Sequence, residues 1–281
     1  MNPSISVLVR TFNSAKALPN LLSRLDLLPG DELIVVDSGS TDNTFDIARQ
    51  YKAYLIFTDG SFNYSGTLNL GFRAATQPWV LVISSHCIPL TTDLLAIFRA
   101  ATANFPANVA VAYGGSPIVS RPVVVDEPVV FASRASSPAE RRKVYGGNAL
   151  ALYRRTWWER YSFDETVPTG EDLLWFTQAL AQGALIARVP GAQALNRNQG
   201  SLRHMFRKGR LESAMARKIT GEPRMTLPQF GIYWGSLLKK WVMAQIPFGT
   251  LLRQGAHALG CFLSPRDEAR STSNEPGKIQ S

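Results

Sequence analysis

The sequence predicts an α/β fold, a mostly parallel sheet flanked by helices, on three observations. Short apolar runs and helix-like segments alternate through the first ninety residues, the signature of strands joined by crossover helices. The hydrophobic fraction of 45% and charged fraction of 18% are those of an ordinary globular chain. Three of the apolar runs end in polar segments, at 10–13, 37–42 and 84–89. Ligands of such sheets bind beyond the carboxyl ends of the strands, so these loops are expected to converge on one cleft.

The elements follow in order. Ile5–Val9 reads as a strand. Residues 17–28 carry Leu18, Leu21, Leu22 and Leu25 at helical spacing and stop at Pro29 and Gly30. Residues 33–36 are a second strand. The segment 37–42 is rich in helix-capping residues and precedes a helix over 44–51. A strand at 54–57, a helix at 67–76 and a strand at 79–83 complete the first half. Further strands are expected at 109–113 and 184–189, with a helix opening at Glu171 and Asp172 and running to Ala181. Residues 118–137, rich in Pro, Val and Ser, read as a mobile loop. Beyond 200 the pattern is helical, and the polar tail 265–281 is predicted to be disordered.

The net charge of +9 is unevenly placed: residues 181–281 hold 15 Lys/Arg against 5 Asp/Glu, and the rest of the chain is nearly balanced. That points to an anionic partner near the C-terminal third, such as a diphosphate or an anionic membrane face. Nucleic acid is not expected, because no nucleic-acid motif accompanies the charge. Two cysteines far apart, Cys87 and Cys261, make no disulfide framework and suit a reducing compartment. Neither a secretory signal nor an apolar run of 18 residues is seen, so a cytoplasmic location is expected.

Several residues could carry chemistry. Asp37, one step past a buried strand, can accept the N–H of a base or a ribose hydroxyl, with Thr11, Asn13 and Ser38 as neighbours. Its alternative is helix capping, the reading preferred for Asp42. His86 sits after the fourth strand, where an imidazole could bind a transition metal or merely close a turn. Glu171 and Asp172 can serve as a carboxylate base with a positioning partner, or only complement a helix N-terminus.

Four segments carry a resemblance: "SVLVRTFNSA", "LIVVDSGSTDNT", "FNYSGTLNLGFRAA" and "TGEDLLWFTQAL". Over roughly residues 4–215 the chain resembles family 2 glycosyltransferases of GT-A fold, in the rhamnosyltransferase-like branch. The resemblance implies a nucleotide-sugar donor, inverting transfer to a hydroxyl of a saccharide or lipid-linked saccharide, and a divalent metal. It places the base on Asp37, Thr11 and Asn13, and lines the nucleotide and sugar with residues 62–69, including Asn69. The family's metal motif, two carboxylates one residue apart, falls by the register of Pro89 on Ser84 and His86. His86 then replaces the usual metal-touching carboxylate, favouring Mn2+ over Mg2+, and Ser84 is left to bond a ribose. Asp172 falls on the catalytic base, Glu171 on its partner, and Asn148 on a segment beside donor sugar or acceptor. Arg197, with His204 as alternative, falls where relatives reach the diphosphate.

The expected organisation is a glycosyltransferase domain over 1–220, with a nucleotide half to about 90 and an acceptor half beyond it. A C-terminal helical segment follows at 221–264. There Tyr233, Trp234, Leu237, Leu238 and Trp241 stand at helical spacing beside Lys239 and Lys240, the pattern of a helix lying on an anionic membrane. Its rival is ordinary packing onto the domain. Rival functions are a nucleotidyltransferase, whose glycine- and lysine-rich phosphate loop is not seen, and an inactive relative that still binds nucleotide sugar.

Overall fold

The computed structural model describes residues 3–58, 63–115, 127–196, 201–221, 223, 225–242 and 248–264. Its first half repeats strand and helix: β1 Ile5–Thr11, α1 Leu18–Leu22, β2 Glu32–Asp37, α2 Thr44–Gln50, β3 Tyr54–Phe57, α3 Tyr64–Ala74 and β4 Trp79–Ser84. Then follow β5 Cys87–Pro89, α4 Leu94–Thr102, β6 Val109–Gly115, β7 Val130–Ala132, α5 Pro138–Val144 and β8 Leu150–Arg154. The last elements are α6 Arg155–Arg160, α7 Glu171–Ala181, β9 Leu185–Asn196, α8 Leu202–Thr220, α9 Leu227–Val242 and α10 Phe248–Phe262.

The strands form one sheet in the order β3-β2-β1-β4-β8-β6-β9-β5, with β7 also on β9. From β3 to β4 the pairings are parallel, as expected. The second half is mixed. β8 runs antiparallel between β4 and β6, and β5 and β7 pair antiparallel to β9. Alternate residues of the strands fill two cores. Val7, Val9, Leu81 and Ile83 face one side, and Leu8, Val80 and Val82 the other.

Four elements differ from the sequence reading. The helix expected over 17–28 ends at Leu22, because Asp31 reels the chain back. Its Oδ2 accepts from the Leu28 amide at 2.7 Å and its Oδ1 from the Ile5 amide at 2.9 Å. Asp31 is also paired with the buried Arg99. The helix expected from 67 starts at Tyr64, since the Asn63 side chain accepts from the Gly66 amide at 2.9 Å and caps it. The last strand runs past Pro190 and Gly191 to Asn196, because β7 pairs with its first half and β5 with its second. β7 lies within the segment expected as a loop; residues 116–126 of that segment are outside the described ones.

The last helix, α10, grips α8. A methyl at Gly209 would lie 2.2 Å from the His257 carbonyl oxygen, and one at Gly260 would lie 2.1 Å from that of Phe206. Only glycine permits this backbone approach. α9 packs on α10 through Leu237 and Leu251, with Tyr233 and Trp234 against them. The expected tail at 265–281 lies outside the described residues.

Candidate active site

The strand ends meet as expected. Register places Thr11 beside Asp37 and Arg10 beside Ser84, and the Ser85 amide bonds the Arg10 carbonyl at 3.4 Å. Beyond them opens a cleft of about 620 Å³. Its floor is Arg10, Thr11, Ser84, Ser85 and His86; one wall is 145–149 with 169–173, and another is α8.

The carboxylate pair opens α7 inside this cleft. Gly170 caps the helix with φ of 76°, and Gly147 approaches with φ of 73°. A β-carbon at Gly147 would stand 3.0 Å from Asp172 Oδ2, so glycine here leaves room for the carboxylate. Oδ2 accepts from the Asn148 amide at 3.0 Å, and Oδ1 from the Leu173 amide at 2.8 Å. The Tyr145 hydroxyl also bonds Asp172; burial, then that carboxylate, holds its phenol well above the ordinary range. Glu171 is buried, and burial, then the neighbouring Asp172, raises its pKa against the pull of Arg10. The two carboxylates are held differently: Glu171 is buried against Asn148, and Asp172 is fixed by backbone amides at the cleft.

Asn148 lies in the cleft wall. Nδ2 donates to Glu171 Oε1 at 3.1 Å, and Oδ1 accepts from the Tyr153 hydroxyl at 2.6 Å. These bonds fix its side chain beside Glu171 and use one of the two Nδ2 hydrogens. Asn69 departs from its expected role. Buried in α3, it bonds Phe163, Glu165 and Trp158 and clamps the 158–165 loop, away from the cleft.

Asp37 is 3% exposed and already holds four donors: Gly39 N, Ser40 N, Ser40 Oγ and Thr11 Oγ1, at 2.6–3.1 Å. Neither Asp37 nor Ser38 lines the cleft. The carboxylate therefore organises the loop, and a base would reach it only by displacing a donor such as the Ser40 hydroxyl. The buried Ser38 hydroxyl has no hydrogen-bond partner. Asn13, at φ of 46°, ties the two strand-end loops together by accepting from the Thr41 amide at 2.9 Å.

His86 is half-buried in the cleft floor. Burial, then Lys208 and Arg10, lowers its pKa to about 4, so the ring is neutral at physiological pH. Burial pushes the neighbouring Cys87 thiol up to about 12, which leaves it inert. His204 also reaches the cleft, at the start of α8. Arg197 lies outside the described residues.

Sequence reasoning gave no role to Lys208 and Glu212. Their signal was available: His204, Lys208, Glu212 and Ala216 recur every four residues, and all four line the cleft. It also gave no role to Arg10.

The divalent metal implied by the resemblance does not fit the residues gathered here. The strand end offers serines and one imidazole, and Arg10 and Lys208 bring positive charge to it. Among the described residues no group of three or more His, Cys, Asp or Glu could hold a metal ion.

Comparison with known proteins gives a consistent picture. The family model "Glycosyl transferase family 2" matches residues 6–162. The O-antigen chain rhamnosyltransferase RfbN of Salmonella typhimurium is 27% identical over 208 residues, covering 65% of this chain and 63% of RfbN. The chain thus spans less than two thirds of that relative. Among solved structures, the mannosyltransferase PcManGT from Pyrobaculum calidifontis, in complex with GDP-Man and Mn2+, superposes with a TM-score of 0.63. Its identity is 17%, over 93% of this chain and 86% of that one. Glucosyl-3-phosphoglycerate synthase from Mycobacterium tuberculosis, in complex with Mn2+, UDP and glucosyl-3-phosphoglycerate, gives 0.60 at 19% identity, over 79% and 81%. These likenesses show the GT-A fold.

Proposed function

Since the chain belongs to glycosyl transferase family 2, matched over more than half its length, we propose that it is an inverting glycosyltransferase. It moves a sugar from a nucleotide-sugar donor to a hydroxyl of a polysaccharide or glycolipid acceptor. The observation that carries this is Asp172, fixed by Asn148, Leu173 and Tyr145 in the cleft that also holds Arg10 and His86. The acceptor oxygen bonds the anomeric carbon from the face opposite the leaving group. The bond to the diphosphate breaks, and its electron pair leaves with the nucleoside diphosphate. The acceptor proton passes to Asp172. Asn148 holds both carboxylates, Asp172 through its amide and Glu171 through its side chain, and Thr11 and Asn13 frame the nucleotide side. Residues 1–90 are read as the donor half and 91–220 as the acceptor half. The Mn2+ bound in two similar structures supports a divalent ion in relatives, and an imidazole would favour Mn2+ over Mg2+. No step is assigned to such an ion here, because the residues do not fit it.

Nucleotide sugars screened by thermal unfolding test the donor reading. One base class should raise the melting temperature, with about 2.7 kcal/mol of stabilisation at a hundredfold excess over Kd. A panel of UDP-, GDP- and dTDP-sugars with no effect on unfolding would remove it.

The likeness to an O-antigen chain rhamnosyltransferase supports a saccharide acceptor. Among the described residues no helix is long and apolar enough to cross a membrane. The outer face of α9 offers an alternative, peripheral attachment at the cytoplasmic face. Trp234 and Leu237 are taken up by packing on α10, but Ile232, Leu238, Trp241 and Val242 are exposed beside Lys239 and Lys240. We expect sedimentation with anionic vesicles that weakens at high salt and in the Trp241→Ser, Val242→Ser double variant. Undiminished sedimentation of that variant would place any lipid contact elsewhere.

A further inference from the structure

Arg10, its side chain 13% exposed, is a cation with an incomplete set of partners. Its Nε and Nη1 are buried and accepted by no hydrogen-bond partner. Glu171 Oε1 lies 3.8 Å from Nη1, too far for a hydrogen bond, and the Tyr64 ring is 5.7 Å from the guanidinium carbon. Buried charged donors are rarely left unmatched, so this side chain is built to be completed by something in the cleft. Register sets Arg10 directly beside Ser84, the first position of the strand-end segment that carries His86.

Lys208 reaches the same place from α8. The fields of both cations fall on His86 and on Cys87. Among the described residues Lys208 pairs with Glu212 at 3.5 Å. That carboxylate has a closer partner in His257 Nε2, at 2.8 Å. Burial pulls the His257 pKa down, but bonds to Cys261 and Glu212 outweigh this and push it up to about 9. His257 is therefore charged at neutral pH, and the one carboxylate of Glu212 is shared by two cations, so the trio Lys208, Glu212 and His257 carries net positive charge at the cleft.

We propose that Arg10 and Lys208 together hold the donor's diphosphate and neutralise the leaving group, so that donor binding needs no divalent ion. This rests on the nucleotide-sugar reading above. Two fixed cations supply the charge that a divalent ion would bring, and they repel such an ion from the same spot. Ser84 and His86 at the strand end suit this role, because carboxylates beside Arg10 would neutralise the guanidinium and repel the phosphates. His86, neutral, can donate one N–H to the same oxygens.

The test is calorimetric titration of the full chain in EDTA with UDP, GDP and dTDP, each against its monophosphate. Wild type should bind one diphosphate at least about tenfold more tightly than the monophosphate, and Mn2+ in place of EDTA should leave that preference unchanged. Lys208→Gln, at a half-exposed site that spares the fold, should remove most of the preference. Arg10→Gln should do the same, and Arg10→Lys should restore part of it. Diphosphate binding by wild type that appears only with Mn2+ would overturn the proposal, as would an undiminished preference in both Gln variants. Failure of every diphosphate to bind, with and without Mn2+, would overturn it together with the donor reading.

Discussion

Asp172→Asn is expected to lower kcat/KM for sugar transfer by about 10²- to 10⁴-fold while leaving donor affinity close to that of wild type. The substitution keeps shape and volume. The amide oxygen can accept from only one of the two amides, Asn148 and Leu173, that now hold Oδ2 and Oδ1 at 3.0 and 2.8 Å. The capacity to take a proton is lost together with one of these hydrogen bonds, so donor affinity is the control for a shifted side chain. Kinetics with the true acceptor, paired with donor titration, separate the two effects. Turnover at the wild-type rate would exclude Asp172 as the base, and loss of donor binding would show that the carboxylate shapes the cleft instead.

The largest expected effect on stability lies far from the cleft. Arg99 and Asp31 pair with side chains 2% and 1% exposed. The Asp31 carboxylate also accepts from the Ile5 and Leu28 amides. Asp31→Ala strands a buried guanidinium and two backbone donors, which should cost about 3–5 kcal/mol. In a chain of this size that lowers the melting temperature by roughly 10 °C. Replacing both partners with leucine should recover part of the loss, because the buried charge goes with its partner. A single variant that melts within a degree or two of wild type would mean that water reaches Arg99.

The first half of the fold was legible because its pairings are parallel and joined by local crossover helices, so pattern and topology agree. The position of β8 was not legible. Nothing local in residues 150–154 says that they run antiparallel between two strands more than thirty residues away. Pro190 and Gly191 looked like the end of a strand, yet two short partners on opposite halves of β9 carry it through. At the site, position was easier to read than use. Asp37 stands where a strand-end carboxylate was expected, but its oxygens are committed to four internal donors. Asn69 was drawn into the cleft by its motif, while its amide belongs to a loop 90 residues on. Such commitments depend on contacts distant in sequence. Lys208 failed for a different reason. Its four-residue spacing from His204 and Glu212 was visible, but a basic helix face has no inward side until the cleft supplies one.

The glycine crossing of α8 and α10 has a bearing on how this chain can be recombined with its relatives. Lys208 sits one residue from Gly209, which lies against the backbone of α10. A chimera joined between α8 and α9 would set a foreign α10 against Gly209 and Phe206, where even one added methyl lacks room. It would also remove His257 from Glu212 and leave that carboxylate to Lys208. An exchange meant to alter only surface attachment would thus change the phosphate end of the cleft. The workable junction lies before Leu202, so that α8, α9 and α10 are inherited as one block.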